Sequence, residues 1–273
     1  MYLPDMIRKE GLRRGLRPKT IKAYGYCIEK FFRVCNKDPR HVNKQDIKDF
    51  LDKLIEKGAH GSTINIHLNA LKFLYENVLN KRLTIRLKFS KTPKSLPIVL
   101  SKEETRRLFD AISNQKHKLM IRFLYSTGLR VSELVNLKVE HLDFQNDFGI
   151  VRNGKGGKDR YFVIAKSIRQ ELIGYIEKEC ASQDSYLFRG LNGCYSTASV
   201  RAIIRQATKN AEIQKNVHPH TLRHSFSTHL LENGYDVASV QSLLGHSSIN
   251  TTMIYVHMAS PKLIDVISPL DSL

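Results

Sequence analysis

The chain has 273 residues, 41% of them hydrophobic, and carries a formal net charge of +18 at pH 7 with an isoelectric point near 9.8. That length suits one large or two modest domains, and so large a basic excess on a folding chain attracts polyanions, so nucleic acid is the expected partner. Cys27, Cys35, Cys180 and Cys194 form no CxxC pair, no apolar run reaches membrane-spanning length, and the N-terminus lacks a signal-peptide core, so the expectation is a soluble cytoplasmic protein with free thiols and no membrane contact.

The basic charge is spread along the chain, not gathered in a tail. Residues 1–90 hold 20 Lys and Arg against 9 Asp and Glu, and the remainder holds 24 against 17. The first 88 residues read as a helical domain. Ile21, Tyr24, Ile28, Phe31 and Phe32 recur at helical spacing after Pro18, which suits a first turn. A second helix opens at Asn43, with Asp46 three residues on, and stops at Gly58. A third starts near Ser62, with apolar positions Ile64, Leu68, Leu71, Tyr75 and Val78. On a different face of it, Asn65, Asn69 and Lys72 form either a solvated stripe or a DNA-facing one, since Asn pairs with adenine edges and Lys with phosphate. Lys19 and Lys22 are further candidate DNA contacts.

Residues 89–100 carry two prolines and two lysines and read as an extended linker. Ser101 and Glu104 then make a capping-box pattern, which opens a second domain over 101–273. This domain is expected to be mostly helical with one small antiparallel sheet. Leu119 to Tyr125 reads as a buried helix broken at Thr127-Gly128, and Val131 to Leu137 starts another. Residues 149–164 read as a β-hairpin, and helices follow over 166–180, 197–211 and 222–231. Asp236 caps a helix ending at Gly245, and a short helix carries Tyr255.

Breaking a phosphodiester needs a nucleophile, a grip on the non-bridging oxygens and a proton for the leaving oxygen. Arg130 follows the Gly128-Leu129 break, and Arg223 shares a helix face with His220 at i, i+3; their planar forks suit phosphate. Lys155 sits in the turn Gly154-Lys155-Gly156-Gly157, from which an ammonium can give its proton to a departing 5′-oxygen. Gly149-x-x-x-x-Gly154-Lys155 imitates a phosphate-binding loop, but Gly156 stands where Ser or Thr is required and a strand follows where a helix is needed. His220 and His224 have metal-ligand spacing without the Glu of His-Glu-x-x-His, so no metal is expected; His220 and His246 fit better as hydrogen-bond donors or proton carriers. Tyr255 is the candidate nucleophile, one tyrosine in eleven, and Arg130, Arg223 and Lys155 are expected to lower its pKa. A tyrosyl phosphoester conserves the energy of the broken bond, so no ATP and no cofactor are called for. Taken singly, each of these residues reads as a surface or packing residue, and only their combination points to chemistry.

Thr127-Gly-Leu-Arg-Val-Ser-Glu-Leu134, Gly154-Lys-Gly-Gly-Lys-Asp-Arg160, His218-Pro-His-Thr-Leu-Arg-His-Ser-Phe-Ser-Thr-His-Leu230 and Leu244-Gly-His-Ser-Ser-Ile-Asn-Thr-Thr-Met-Ile-Tyr255 resemble the tyrosine recombinase (phage integrase-like) family, in its order and over essentially the whole chain. The resemblance implies a mainly α protein, an N-terminal helical domain and a catalytic domain clamping double-stranded DNA. It implies that Arg130, Lys155, His220, Arg223 and His246 assemble around the phosphate and that Tyr255 attacks it. The products would be a 3′-phosphotyrosine and a free 5′-hydroxyl. Lys155 would protonate the leaving oxygen, His220 would act as general acid/base and His246 would hold the phosphate. It implies a dimer on one site and a tetramer that exchanges strands through a Holliday junction, with or without a second recombinase. The two-domain layout looks most like the Xer type, which resolves chromosome dimers, and the tail 260–273 would dock on a neighbouring protomer. A mobile-element or plasmid integrase, a type IB topoisomerase and a non-catalytic DNA-binding regulator are the competing readings.

Overall fold

The computed structural model describes residues 3–81, 90, 96–152, 154, 159–180, 182–190, 193–245, 252, 253, 255 and 256. The chain divides into two compact units, residues 1–95 and 96–273.

The first unit is helical. Helix α1 (Leu3–Arg13) precedes the elements marked by the sequence pattern, and α2 (Pro18–Cys35) begins with Pro18 in its first turn, where a missing N–H costs nothing. Helix α3 (Lys44–Glu56) is capped by Asn43: its side chain accepts from the Asp46 N–H at 3.0 Å, and Asp46 accepts from the Asn43 N–H at 2.8 Å. Helix α4 (Gly61–Lys72) starts one residue before Ser62, capped by His60, and runs into a π-helical turn at Phe73–Val78. Phe31, Ile47, Leu71, Leu74 and Tyr75 are fully buried in this unit's core, each worth about 1.5–3 kcal/mol in transfer from water.

In the second unit the capping box at Ser101 and Glu104 opens α5 (Lys102–Asp110). Leu100, at the end of the stretch expected to be linker, is instead fully buried in this unit's core. Its N–H donates to Ser225 Oγ at 2.9 Å and its carbonyl accepts from His229 Nε2 at 3.0 Å, so two hydrogen bonds remove it from any extended spacer. Helix α6 (Gln115–Thr127) ends at Gly128 in the left-handed region, φ 60°. A Cβ there would also lie 2.5 Å from the Phe226 ring, so glycine is required twice over. Helix α7 (Val131–Val135) follows directly.

The expected hairpin is present and extended by a third strand. β1 (Leu142–Asp143), β2 (Phe148–Val151) and β3 (Arg160–Val163) form an antiparallel sheet in that order, with Val151 opposite Arg160. Helices α8 (Lys166–Glu179) and α9 (Thr197–Asn210) flank a two-residue pairing of β4 (Arg189–Gly190) with β5 (Gly193–Cys194). Helix α10 (Pro219–Glu232) packs on α6, and α11 (Val237–Leu244), capped by Asp236, packs on α10 and β3. Thr252, Met253, Tyr255 and Val256 are helical. Among the described residues no helix is long and apolar enough to cross a membrane.

Candidate active site

Three breaks in helical structure bring the site together. Gly128 ends α6, so that Arg130 becomes the N-cap of α7 with an extended backbone at φ −72°, ψ 147°. Gly245 ends α11 at φ 62°, and a Cβ there would lie 2.6 Å from Arg160 Cδ. Pro219 starts α10, whose N-cap His218 accepts the Thr221 N–H through Nδ1 at 3.2 Å. From this start, His220, Arg223, His224 and Ser227 share one face of α10.

Arg223 is 3% exposed. Its Nη1 donates to the Gly128 carbonyl and its Nη2 to the Leu244 carbonyl, both at 2.5 Å. Two helix C-termini thus supply the carbonyls that solvate a buried cation, and these ends are the negative poles of their helices. Burial, then Arg130 and Arg160, lower its pKa to about 9, so it stays charged at neutral pH.

Glu133 lies between two more arginines. Arg130 Nη1 donates to its Oε1 at 2.8 Å, the Arg130 N–H donates to Oε2 at 2.8 Å, and Arg160 Nη2 donates to Oε2 at 2.7 Å. Burial alone pushes this carboxyl up, but the hydrogen bonds and charges of Arg160 and then Arg130 outweigh it and hold the pKa below the usual range. Arg160 Nε also donates to the Leu243 carbonyl at 3.1 Å, which ties strand β3 to the end of α11.

The Tyr255 side chain is buried, 3% exposed, with its hydroxyl 2.8 Å from His224 Nδ1. The cations do act on it, Arg223 most and Arg130 less, with the Ser227 hydroxyl between them in effect; burial nevertheless wins and its pKa is raised. The expectation of a phenol already acidified by its neighbours is therefore corrected: removal from water outweighs two guanidiniums. His224 is driven down to about 4, by burial first and then by His220, His218 and Arg223, and is uncharged at neutral pH. His220 lies at the exposed helix start, its ring centroid 6.3 Å from that of His224. Partial desolvation, then His218, Arg223, Arg130 and Arg201, lower its pKa.

Of the six residues singled out from the sequence, Arg130, His220, Arg223 and Tyr255 are thus brought into one electrostatic neighbourhood. Lys155 and His246 lie outside the described residues, as does the tail 260–273. From Arg160 the chain forms β3, a strand where a phosphate-binding loop needs a helix. No group of three metal-ligating side chains occurs among the described residues. Sequence reasoning overlooked Glu133 and Arg160, although both stand inside the quoted segments and Glu133 is at the capping-box position after Arg130. It weighed His224 only as a metal ligand.

The secondary candidates are in the first unit. Lys19 and Lys22 are exposed on α2, and Asn69 is exposed on α4 with Lys72 half-buried below it. Asn65 is committed: its Nδ2 donates to the Ser90 carbonyl at 3.0 Å and its Oδ1 accepts from the Ser90 N–H at 2.8 Å. Those bonds hold a chain segment 25 residues away and occupy the same amide edge that would read an adenine.

Residues 98–261 match the phage integrase family, and residues 5–85 match the phage integrase N-terminal SAM-like domain. The chain is 37% identical over 259 residues to tyrosine recombinase XerA of Pyrococcus horikoshii, covering 93% of this chain and 88% of that protein. It is 34% identical over 267 residues to tyrosine recombinase XerC of Bacillus pumilus, covering 89% and 87%. The fold aligns with the crystal structure of a XerA recombinase at a TM-score of 0.57 and 32% identity, over 96% of this chain and 95% of that one. With both units matched, the chain belongs to the phage integrase family, the tyrosine recombinases.

Proposed function

We propose that the protein is a site-specific DNA recombinase that cuts and rejoins DNA through a 3′-phosphotyrosine at Tyr255. The observation that carries this reading is that one tyrosine hydroxyl lies in the field of two guanidiniums, Arg223 and Arg130, both held in place by backbone and Glu133. Arg130 and Arg223 bind the non-bridging oxygens of the scissile phosphate and stabilise the charge that builds up there in the transition state. His220 and His246 complete the hydrogen bonding around that phosphate, and Lys155 protonates the departing 5′-oxygen. The first unit, with its dense basic charge, supplies further contacts to the duplex through Lys19, Lys22, Asn69 and Lys72.

Xer-named relatives and the two-unit layout support a role in resolving chromosome dimers, and hence in chromosome partition at cell division. In that role the protein acts in the cytoplasm at the nucleoid, as a dimer on one site and a tetramer in synapsis, and passes through a Holliday junction. A duplex nicked beside the scissile phosphate traps the covalent intermediate, because the short product strand diffuses away. Wild type is expected to give a protein–DNA adduct that resists denaturant, and Tyr255→Phe none. No wild-type adduct on a collection of genomic fragments, or an equal adduct from Tyr255→Phe, would overturn the assignment.

A further inference from the structure

The site holds one contact that the roles above leave unused, the 2.8 Å approach of His224 Nδ1 to the Tyr255 hydroxyl. The direction of that hydrogen bond follows from the neighbours. The Ser227 hydroxyl reaches both the Arg223 carbonyl, at 2.7 Å, and the phenol oxygen, and serves either as a donor. The phenol hydrogen then goes to the strongest acceptor in reach, and an imidazole nitrogen is far more basic than a hydroxyl oxygen. Nδ1 is therefore the acceptor and Nε2 carries the ring hydrogen.

We infer that His224 Nδ1 takes the proton of Tyr255 as the phenol attacks phosphorus. The inference rests on the recombinase reading. In cleavage the Oη–H bond breaks with its proton passing to Nδ1, an Oη–P bond forms, and the bond from phosphorus to the 5′-oxygen breaks with its electron pair on that oxygen. The 5′-oxygen takes its proton from the general acid, the role proposed for Lys155. In rejoining, the imidazolium returns its proton to Tyr255. Proton transfer at 2.8 Å needs no rearrangement of either side chain.

The charged and titratable groups facing His224 are His218, His220 and Arg223 from its own helix and Tyr255 from the segment packed on it. Together with burial they keep the imidazole neutral, the form that can accept a proton. An anionic phosphodiester bound by Arg130 and Arg223 offsets their positive field, so His224 gains basicity at the moment it is used. His220, exposed and one helical turn earlier, is left to the phosphate.

The test compares wild type with His224→Gln on two nicked duplexes, one with the natural scissile phosphate and one with sulfur in place of the bridging 5′-oxygen. Sulfur leaves without a proton, so it compensates for a lost acid and not for a lost base. His224→Gln is expected to bind DNA as wild type does and to form the adduct about 10²–10³-fold more slowly on both duplexes. Its rate should climb about tenfold per pH unit between pH 7 and 9, as solvent supplies the phenolate, while the wild-type rate stays flat. A variant rate at or above that of wild type, a defect erased by sulfur, or a slow variant with a flat pH profile would each overturn the role. If circular dichroism shows His224→Gln unfolded, His224→Asn carries the same readouts. A wild type that forms no adduct on either duplex sinks the recombinase reading and this one with it; a wild-type adduct with an unimpaired variant sinks only His224.

Discussion

Helix α10 carries the histidines of two tyrosine–histidine pairs on different faces, and their environments differ. Tyr125 donates to His229 Nδ1 at 2.7 Å, and His229 Nε2 donates to the Leu100 carbonyl at 3.0 Å. Both nitrogens are spent, the rings of Phe109 and Phe226 pack edge-on against Tyr125, and burial lifts the Tyr125 pKa to about 12. Tyr255 and His224 make the same contact at 2.8 Å, but arginines act on that phenol and Tyr255 is the one described residue bonded to the His224 ring. The contact is common to both pairs. The surroundings make one pair a rivet for the start of the second unit and give the other a charge to work against.

The two pairs differ most in their arginine. Arg223→Lys cannot bridge the Gly128 and Leu244 carbonyls with one ammonium, so adduct formation should fall about 10²–10³-fold at a temperature where the variant is still folded. A rate within threefold of wild type would mean that the fork is not what the site requires.

Acid titrates the two histidines differently. His224 and His229 both have folded-state pKa values below the ordinary histidine value of 6.5, His224 at about 4. Between those values the unfolded chain binds protons that the folded chain refuses. Stability is therefore complete above about pH 6.5 and is lost as pH falls toward 4, by at most about 1.4 kcal/mol per pH unit for each histidine. Urea unfolding at stepped pH measures this, and His224→Gln should flatten the slope; an unchanged slope would show that His224 is not held neutral by the fold.

The smallest effect separates the pairs by function. Tyr125→Phe leaves His229 Nδ1 buried without its donor and should cost about 1–3 kcal/mol of unfolding free energy with cleavage unchanged. Slower cleavage by the folded variant would erase the distinction between the two pairs.

Much of the fold was legible because local rules are strong where the backbone changes direction. Pro18, Asn43 with Asp46, Ser101 with Glu104, Gly128, Asp236 and Gly245 each marked a helix end through capping or left-handed geometry. Helix α1 and the short strands β1, β4 and β5 were not marked, since two-residue strands are too brief for any periodicity to register. Leu100 looked like linker because its hydrogen-bond partners, Ser225 and His229, are more than 120 residues away. For the site, residue types and order pointed to Arg130, His220, Arg223 and Tyr255. The sequence could not reveal the sign of the Tyr255 shift, because that depends on how far burial outruns charge, and depth is a tertiary quantity. Nor could it show that Asn65 is committed to Ser90.

The ties among the arginines have one more consequence, in charge count. Arg130 and Arg160 share the single carboxylate of Glu133, while Arg223 is hydrogen-bonded by peptide carbonyls. Three guanidiniums to one carboxylate leave a surplus of two positive charges among these described groups. A phosphodiester carries one negative charge, and a phosphorane on its way between two ester oxygens carries two. The scaffold is matched to the fleeting species and over-supplied for the resting one, which is the charge balance a catalyst needs to favour passage over parking.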